Sequence, residues 1–468
     1  MTAQEYKDLS GSLTHEGVSI MRRTLFSLAT LAILASTLHA QNCANTSVGF
    51  TPLNDLGTST YQGFQGGLYP GGANSRPIAH EVGGLAQAAQ VLPLDSAGAL
   101  DLAAGKIGFI SVGMSNCVMH FNSLIPAAAA DPLKSPRVVL SNCAQGGQTA
   151  LVLTDPNAFY WTTWVPTKLA QSGLTAAQVQ VVWFLEADAG PTQTFPSDAQ
   201  TLQSEFTTIM GILRAKYPNV RLCYGASRIY AGYATTTLNP EPWAYQQSFA
   251  VKWLIEDQIN HNPALNYDPA LGSVLAPWLA WGPYMWADGL VPRSDGLTWI
   301  CSDFKPDGTH PSVQGATKNA GYLLNFLHDD NTAQSWYLAQ PRPITYGAGK
   351  LTSIATTPSI GWSGTPSISA SNFQVAMSGG VPGKPVLALW SSAPAITPFS
   401  NATLYLGSPI HRLAPQILDG TGSTSVPIAL QLAWLGTTRD YQFWFRDPAH
   451  PDGTGAGLSN ALQVRFFD

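Results

Sequence analysis

Charge is what this sequence has least of. Asp, Glu, Lys and Arg make up 11% of its 468 residues, against about a quarter in an average soluble domain. The net charge of −5 and the lack of a basic stripe argue against a nucleic-acid partner. CxxC pairs and histidine clusters are missing, so neither a metal nor a cofactor is expected. The stretch Gly66-Gly67-Leu68-Tyr69-Pro70-Gly71-Gly72 has no phosphate-binding lysine and no strand before it, and reads as a loop. No repeat recurs at a fixed period. Beyond residue 40 no apolar run is long enough for stable membrane insertion.

Cysteines are few, and their number, five, is odd. Cys117 and Cys143 follow two strands expected side by side and form the first expected disulfide. Cys223 and Cys301 form a second, leaving Cys43 free. The competing reading is that some are small buried side chains. Disulfides suit an exported chain. Met21-Arg22-Arg23, an apolar run over 25–35 and the small-residue site ending at Ala40 read as a signal peptide over 21–40, which makes the protein secreted. Residues 1–20 are polar and precede this second methionine. They read as an extension or a misplaced start.

Residues 41–100 are rich in Gly, Pro and Asn and read as an irregular segment packed on the main domain. From Lys106 onward, apolar runs alternate with helical patterns. Runs at 107–112, 137–140, 179–185 and 220–224 read as buried parallel strands, with a short fifth at 273–275. Helical periodicity covers about 197–216 and 243–260. The alternation predicts an α/β fold, a parallel sheet in the order 2-1-3-4-5 with ligands beyond the carboxyl ends of its strands. Ser115, Gly146, Gly147, Asp188 and Arg228 all fall at those ends.

The richest chemistry lies in Asp303-Phe304-Lys305-Pro306-Asp307-Gly308-Thr309-His310-Pro311-Ser312. A carboxylate three residues from an imidazole on one turn can fix the ring's tautomer and stabilise its charged form, as a general base serving a serine requires. Gly308 frees the turn and Pro311 stiffens its exit. The alternative is a helix cap with a surface histidine beside it.

A Ser after the first strand, Gly after the second, a polar residue after the third and a late Asp-x-x-His-Pro together resemble the four blocks of the SGNH (GDSL-like) serine hydrolases, over about 101–330. Ser227 to Tyr233 and Trp281 to Gly289 are similar to a secreted bacterial branch of that superfamily. The resemblance implies a three-layer α/β/α domain over 101–338. It makes Ser115 the nucleophile, His310 its base and Asp307 the orienting acid. N–H groups of Ser115 and of Gly146 or Gly147 would bind the oxyanion. Two positions depart from the pattern: Met114 replaces an Asp, and Asp188 stands where an amide donor is usual. An ionised Asp188 would repel an oxyanion; a protonated one could donate to it. Arg228, Trp281 and Tyr284 are candidate substrate contacts. Against that, Arg228 could pair internally with Glu241 or Asp288, and two of Trp281, Tyr284 and Trp286 are expected in the core.

Pro341-Arg342-Pro343 marks a linker over 339–350. Apolar runs at 385–390, 402–406, 425–435, 441–445 and 461–467 then alternate with Gly/Ser/Pro turns, which predicts a β-sandwich over 351–468. Its last stretches resemble C-terminal β modules of planctomycete-like secreted proteins. The expected activity is ester hydrolysis through an acyl-enzyme, with acetylated polysaccharide as the first substrate class. A lipase-like or aryl esterase and a non-catalytic carbohydrate-binding scaffold are the alternatives, and the oligomeric state stays open.

Overall fold

The computed structural model describes residues 40–468. The polar segment 1–20 and almost all of the expected signal peptide lie outside the described residues.

The fold is mixed α/β. Strands β1 (Ile107–Gly113), β2 (Val138–Asn142), β3 (Val179–Leu185), β4 (Leu222–Gly225) and β5 (Trp278–Trp281) form a parallel sheet in the order β2-β1-β3-β4-β5, which is the order expected. All but β2 are buried along their whole length. That is why they read as continuous apolar runs rather than alternating ones. The fifth strand corrects the expected 273–275. Leu275 is exposed, and the continuous apolar run begins only after Pro277, at Trp278-Leu279-Ala280-Trp281.

Successive strand residues serve opposite faces. Ile110, Val182, Phe184 and Leu279 share one core with Phe206 and Met210 of a helix over Ser197–Lys216 and with Phe249 of a helix over Trp243–Ile259. Phe109, Val181, Trp183 and Tyr224 share the other with Phe121 of the helix Ser115–Ala130 and with Leu323 and Leu327 of the helix Val313–Asp329. The helix that begins at Ser115 and the helix that follows His310 therefore pack on the same face of the sheet.

The segment expected to be irregular contains a twelve-residue helix, Ile78–Ala89. Two adjacent glycines mask its periodicity. Gly84 is needed for packing: a Cβ there would lie 2.4 Å from the Trp278 ring.

The C-terminal region is antiparallel β. One sheet runs His411–Arg412, Pro385–Ser391, Thr438–Arg446, Ala456–Arg465, Ile344–Tyr346, and a three-stranded sheet runs Thr424–Pro427, Gln374–Ser378, Ser359–Ser363. One apolar cluster takes side chains from both, including Val375, Met377, Val386, Phe443 and Val464. Ile344–Tyr346 falls inside the expected linker. It is a paired strand, bonded to the stretch around Leu462.

The disulfide pairing differs from expectation. Cys43 is bridged to Cys301, with Cα atoms 5.4 Å apart. Cys117, Cys143 and Cys223 are buried free thiols. Cys117 points at the Val112 carbonyl and Cys143 at the Ser141 hydroxyl, so adjacent strands did not bring their sulfurs together. Among the described residues no helix is long and apolar enough to cross a membrane. Non-reducing peptide mapping should link the Cys43 and Cys301 peptides and leave the other three thiols alkylatable after denaturation. Cys43→Ser should lower the unfolding free energy by about 2–5 kcal/mol, the usual effect of opening a large native loop. A linked Cys117–Cys143 peptide would reverse the assignment.

Candidate active site

Ser115 is the first residue of its helix, immediately beyond the end of β1. The first N–H groups of a helix have no intrahelical acceptor and carry its positive end. The Ser115 hydroxyl lies 2.7 Å from His310 Nε2. On its other side the ring's Nδ1 lies 2.7 Å from Asp307 Oδ2. The three residues expected to converge do so, although 195 positions separate Ser115 from His310.

The Asp307 turn is built to hold that ring. Oδ1 of Asp307 accepts the backbone N–H groups of Thr309 and His310, each at 2.9 Å. Gly308 adopts φ +67°, and a Cβ there would lie 2.2 Å from the Tyr233 carbonyl oxygen, so only glycine fits. Burial raises the Asp307 carboxyl, but the His310 ring and the N–H groups of His310 and Thr309 outweigh it and hold it at about 2. Asp307 is therefore ionised at neutral pH and can only accept. In the neutral ring Nδ1 then carries the proton and donates to Asp307, and Nε2 accepts from the Ser115 hydroxyl.

The loop after β2 supplies the glycines. A Cβ on Gly146 would lie 3.7 Å from that of Ser115, and Gly147 lines the cavity that opens on Ser115. The N–H groups of Ser115, Gly146 and Gly147 have no acceptor among the described residues. Three backbone donors on the two segments that meet near Ser115 are thus unspent.

Asp188 does not join them. Its Oδ1 accepts the Leu151 N–H at 3.0 Å, at the start of the short helix Ala150–Leu153. It does not line the cavity. The repulsion expected from a carboxylate at the oxyanion position is absent, because the side chain turns toward Leu151 and Glu205. Asn239 lines the cavity, and its amide donates to the Asp188 backbone carbonyl. Asn239 was not singled out from sequence. Its one signal is the Asn-Pro step at Asn239-Pro240, a turn marker.

The cavity has a volume of about 190 Å³ and is walled by Met114, Ser115, Asn116, Gly147, Asn239, Thr309, His310 and Arg228, among others. Asn116 donates to the Thr309 carbonyl at 3.3 Å, tying the serine helix to the histidine turn. Arg228 is 1% exposed and forms no ion pair among the described residues. The pairing expected with Glu241 or Asp288 fails because N–H and O–H donors occupy both carboxylates. Glu241 accepts from Ala231, Tyr245 and the Trp286 indole; Asp288 accepts from Ser47, Val48 and Gly49. Trp281 and Tyr284 are buried and lie away from Ser115. The Trp281 indole donates to the Leu68 carbonyl, and the Tyr284 hydroxyl accepts the Leu53 N–H. Trp286 is buried too, so all three aromatic residues belong to the core.

No family model matches this sequence, and no curated protein matches it. Solved structures that align with it include the periplasmic domain of a lipopolysaccharide acetyltransferase from Salmonella ser. Paratyphi A, at 14% identity and TM-score 0.26, over 47% of this chain and 83% of that one. Bacillus subtilis YxiM aligns at 14% identity and TM-score 0.25, over 49% of this chain and 58% of that one. A gut microbial diltiazem-metabolizing enzyme aligns at 11% identity and TM-score 0.29, over 60% of this chain and 59% of that one. The alignments cover less than two thirds of the latter two chains.

Glu205 lies against Asp188 and offers a test of this arrangement. Burial first, then the Asp188 and Asp198 carboxylates, push its carboxyl up from 4.5 to about 8. A folded value above the unfolded one means that protonated Glu205 stabilises the fold. The contribution is complete below pH about 4.5 and is lost as pH rises through about 8. In Glu205→Gln, which carries no charge at any pH, unfolding free energy should fall less between pH 5 and 8 than in the parent. Superimposable pH profiles for the two proteins would rule out the raised carboxyl.

Proposed function

We propose that the protein is an ester hydrolase of SGNH type that acts through Ser115, His310 and Asp307 by an acyl-enzyme. The observation that carries this reading is the pair of 2.7 Å contacts linking Ser115 Oγ to His310 and His310 to Asp307. In the first step Ser115 Oγ attacks the ester carbonyl carbon as its proton passes to His310 Nε2. The carbonyl π pair moves onto oxygen, which meets the N–H groups of Ser115, Gly146 and Gly147. Collapse re-forms the carbonyl and expels the alcohol oxygen, which takes the proton from His310. Water then repeats the sequence with the acyl-serine, releasing the acid and restoring Ser115.

The cavity volume, about 190 Å³, falls below the roughly 300 Å³ at which drug-sized sites begin. That supports a short acyl group over the long chain of a lipase substrate. Short-chain esters on glycans are the first class to screen, on analogy alone. The Cys43–Cys301 bridge supports a location outside the reducing cytosol.

Ester cleavage should fall at least about 10³-fold in Ser115→Ala, and about 10²–10⁴-fold in Asp307→Asn, which removes the ionised partner of the ring. A fluorophosphonate should label Ser115 and no other residue. Unchanged turnover in folded Ser115→Ala would assign the scaffold to a non-catalytic role.

A further inference from the structure

Arg228 is the charged group in the cavity wall that ester cleavage leaves unexplained. It is 1% exposed, and Nε and Nη2 of its guanidinium have no hydrogen-bond partner among the described residues. Burying a charge in this way is costly unless a partner compensates it. The nearby carboxyls do not compensate it by contact. Glu241 is occupied by three N–H donors. Glu186 accepts the Ala187 N–H through Oε1, and its Oε2 is unpartnered. Burial, reinforced by Asp188, pushes the Glu186 carboxyl well above the usual carboxyl range against the pull of Arg228, and so disfavours its charged form. Burial lowers Arg228 only to about 10, so it remains a cation at neutral pH.

Its place in the sheet sets how far it stands from the reacting atoms. Arg228 follows β4, and β4 lies two strands from β1, the strand that leads to Ser115. Two strand spacings are about 10 Å. Arg228 therefore enters the cavity from a strand that is not adjacent to the one leading to Ser115. The cavity between them has room for an acyl chain of a few heavy atoms.

We propose that Arg228 is the specificity-determining residue of this site, and that it receives a carboxylate at the far end of a short acyl chain. The favoured substrates are then half-esters of short dicarboxylic acids such as succinate. A guanidinium matches both oxygens of a carboxylate with its fork of N–H donors. A bound anion also supplies the partner that the buried cation lacks. The inference rests on the reading of Ser115 as the nucleophile.

The test follows methanol release from monomethyl succinate and from methyl butyrate, a neutral ester of similar length. A site built to pair a substrate group rejects analogues without it strongly, so wild type should prefer monomethyl succinate by about 10²-fold or more in kcat/KM. Arg228→Met should lose that preference, its kcat/KM falling about 10²-fold further on monomethyl succinate than on methyl butyrate, since a neutral chain never used the charge. Arg228→Lys keeps the charge but loses the fork, and should retain about a tenth of the preference. If Arg228→Met does not fold, Arg228→Lys together with calorimetric binding of succinate to Ser115→Ala decides the question: binding expected, and weakened in Ser115→Ala/Arg228→Lys. Equal cleavage of the two esters by wild type would overturn the assignment. So would an equal loss on both in Arg228→Met, which would put Arg228 at the reacting carbonyl. A preference for acetoxyacetate, which carries its carboxylate on the alcohol side, would overturn the acyl-side placement. Failure here with Ser115-dependent cleavage intact removes only the role of Arg228; no Ser115-dependent cleavage of any ester removes both readings.

Discussion

The carboxylate of Asp307 does two jobs with two oxygens. One accepts the N–H groups of Thr309 and His310 and sets the turn, and the other accepts Nδ1–H of His310 and sets the ring. Backbone conformation and imidazole tautomer are therefore fixed by one group and cannot drift apart. The turn is held from outside as well. The Asp303 carbonyl accepts the Ser312 N–H at 2.8 Å, the buried Asp303 carboxylate pairs with Lys318 of the following helix, and Asn116 reaches the Thr309 carbonyl from the serine helix. The 2.7 Å contact between Ser115 and His310 therefore depends on elements more than 190 residues apart.

A chain with so few charges gives each buried one weight. Asp288 and Glu241 are satisfied by N–H and O–H donors rather than by cations. Hydrogen bonds of that kind satisfy a carboxylate without an ion pair. One result is that the single arginine in the cavity wall is not neutralised by contact. The same economy explains why the internal pairing expected for Arg228 does not occur: its candidate partners are engaged by the chain around them.

What could be read from the sequence followed from local pattern. Continuous apolar runs mark fully buried strands, and four of the five parallel strands lie close to where those runs fall. The Asp307–His310 turn is legible because both groups and the glycine between them sit within four residues. What was hidden depended on contacts remote in sequence. The helix Ile78–Ala89 has glycines where a packing ring needs room. The last strand is displaced past Pro277. Cys43 finds Cys301 through the docking of the N-terminal segment on residues around Asp288, which no spacing rule encodes. The direction of the Asp188 side chain is another such case. A polar residue at a strand tip can face the cavity or the neighbouring helix end, and here the free N–H of Leu151 decides.

The bridge from Cys43 to Cys301 encloses all five parallel strands and Ser115 but leaves His310 and Asp307 just outside the loop. A single backbone cut in any loop between the two cysteines would produce one fragment carrying Cys43 and another carrying Cys301 and His310. The two would remain one covalent molecule. A protease that reaches an exposed connection in this region can nick the chain without releasing a piece of it.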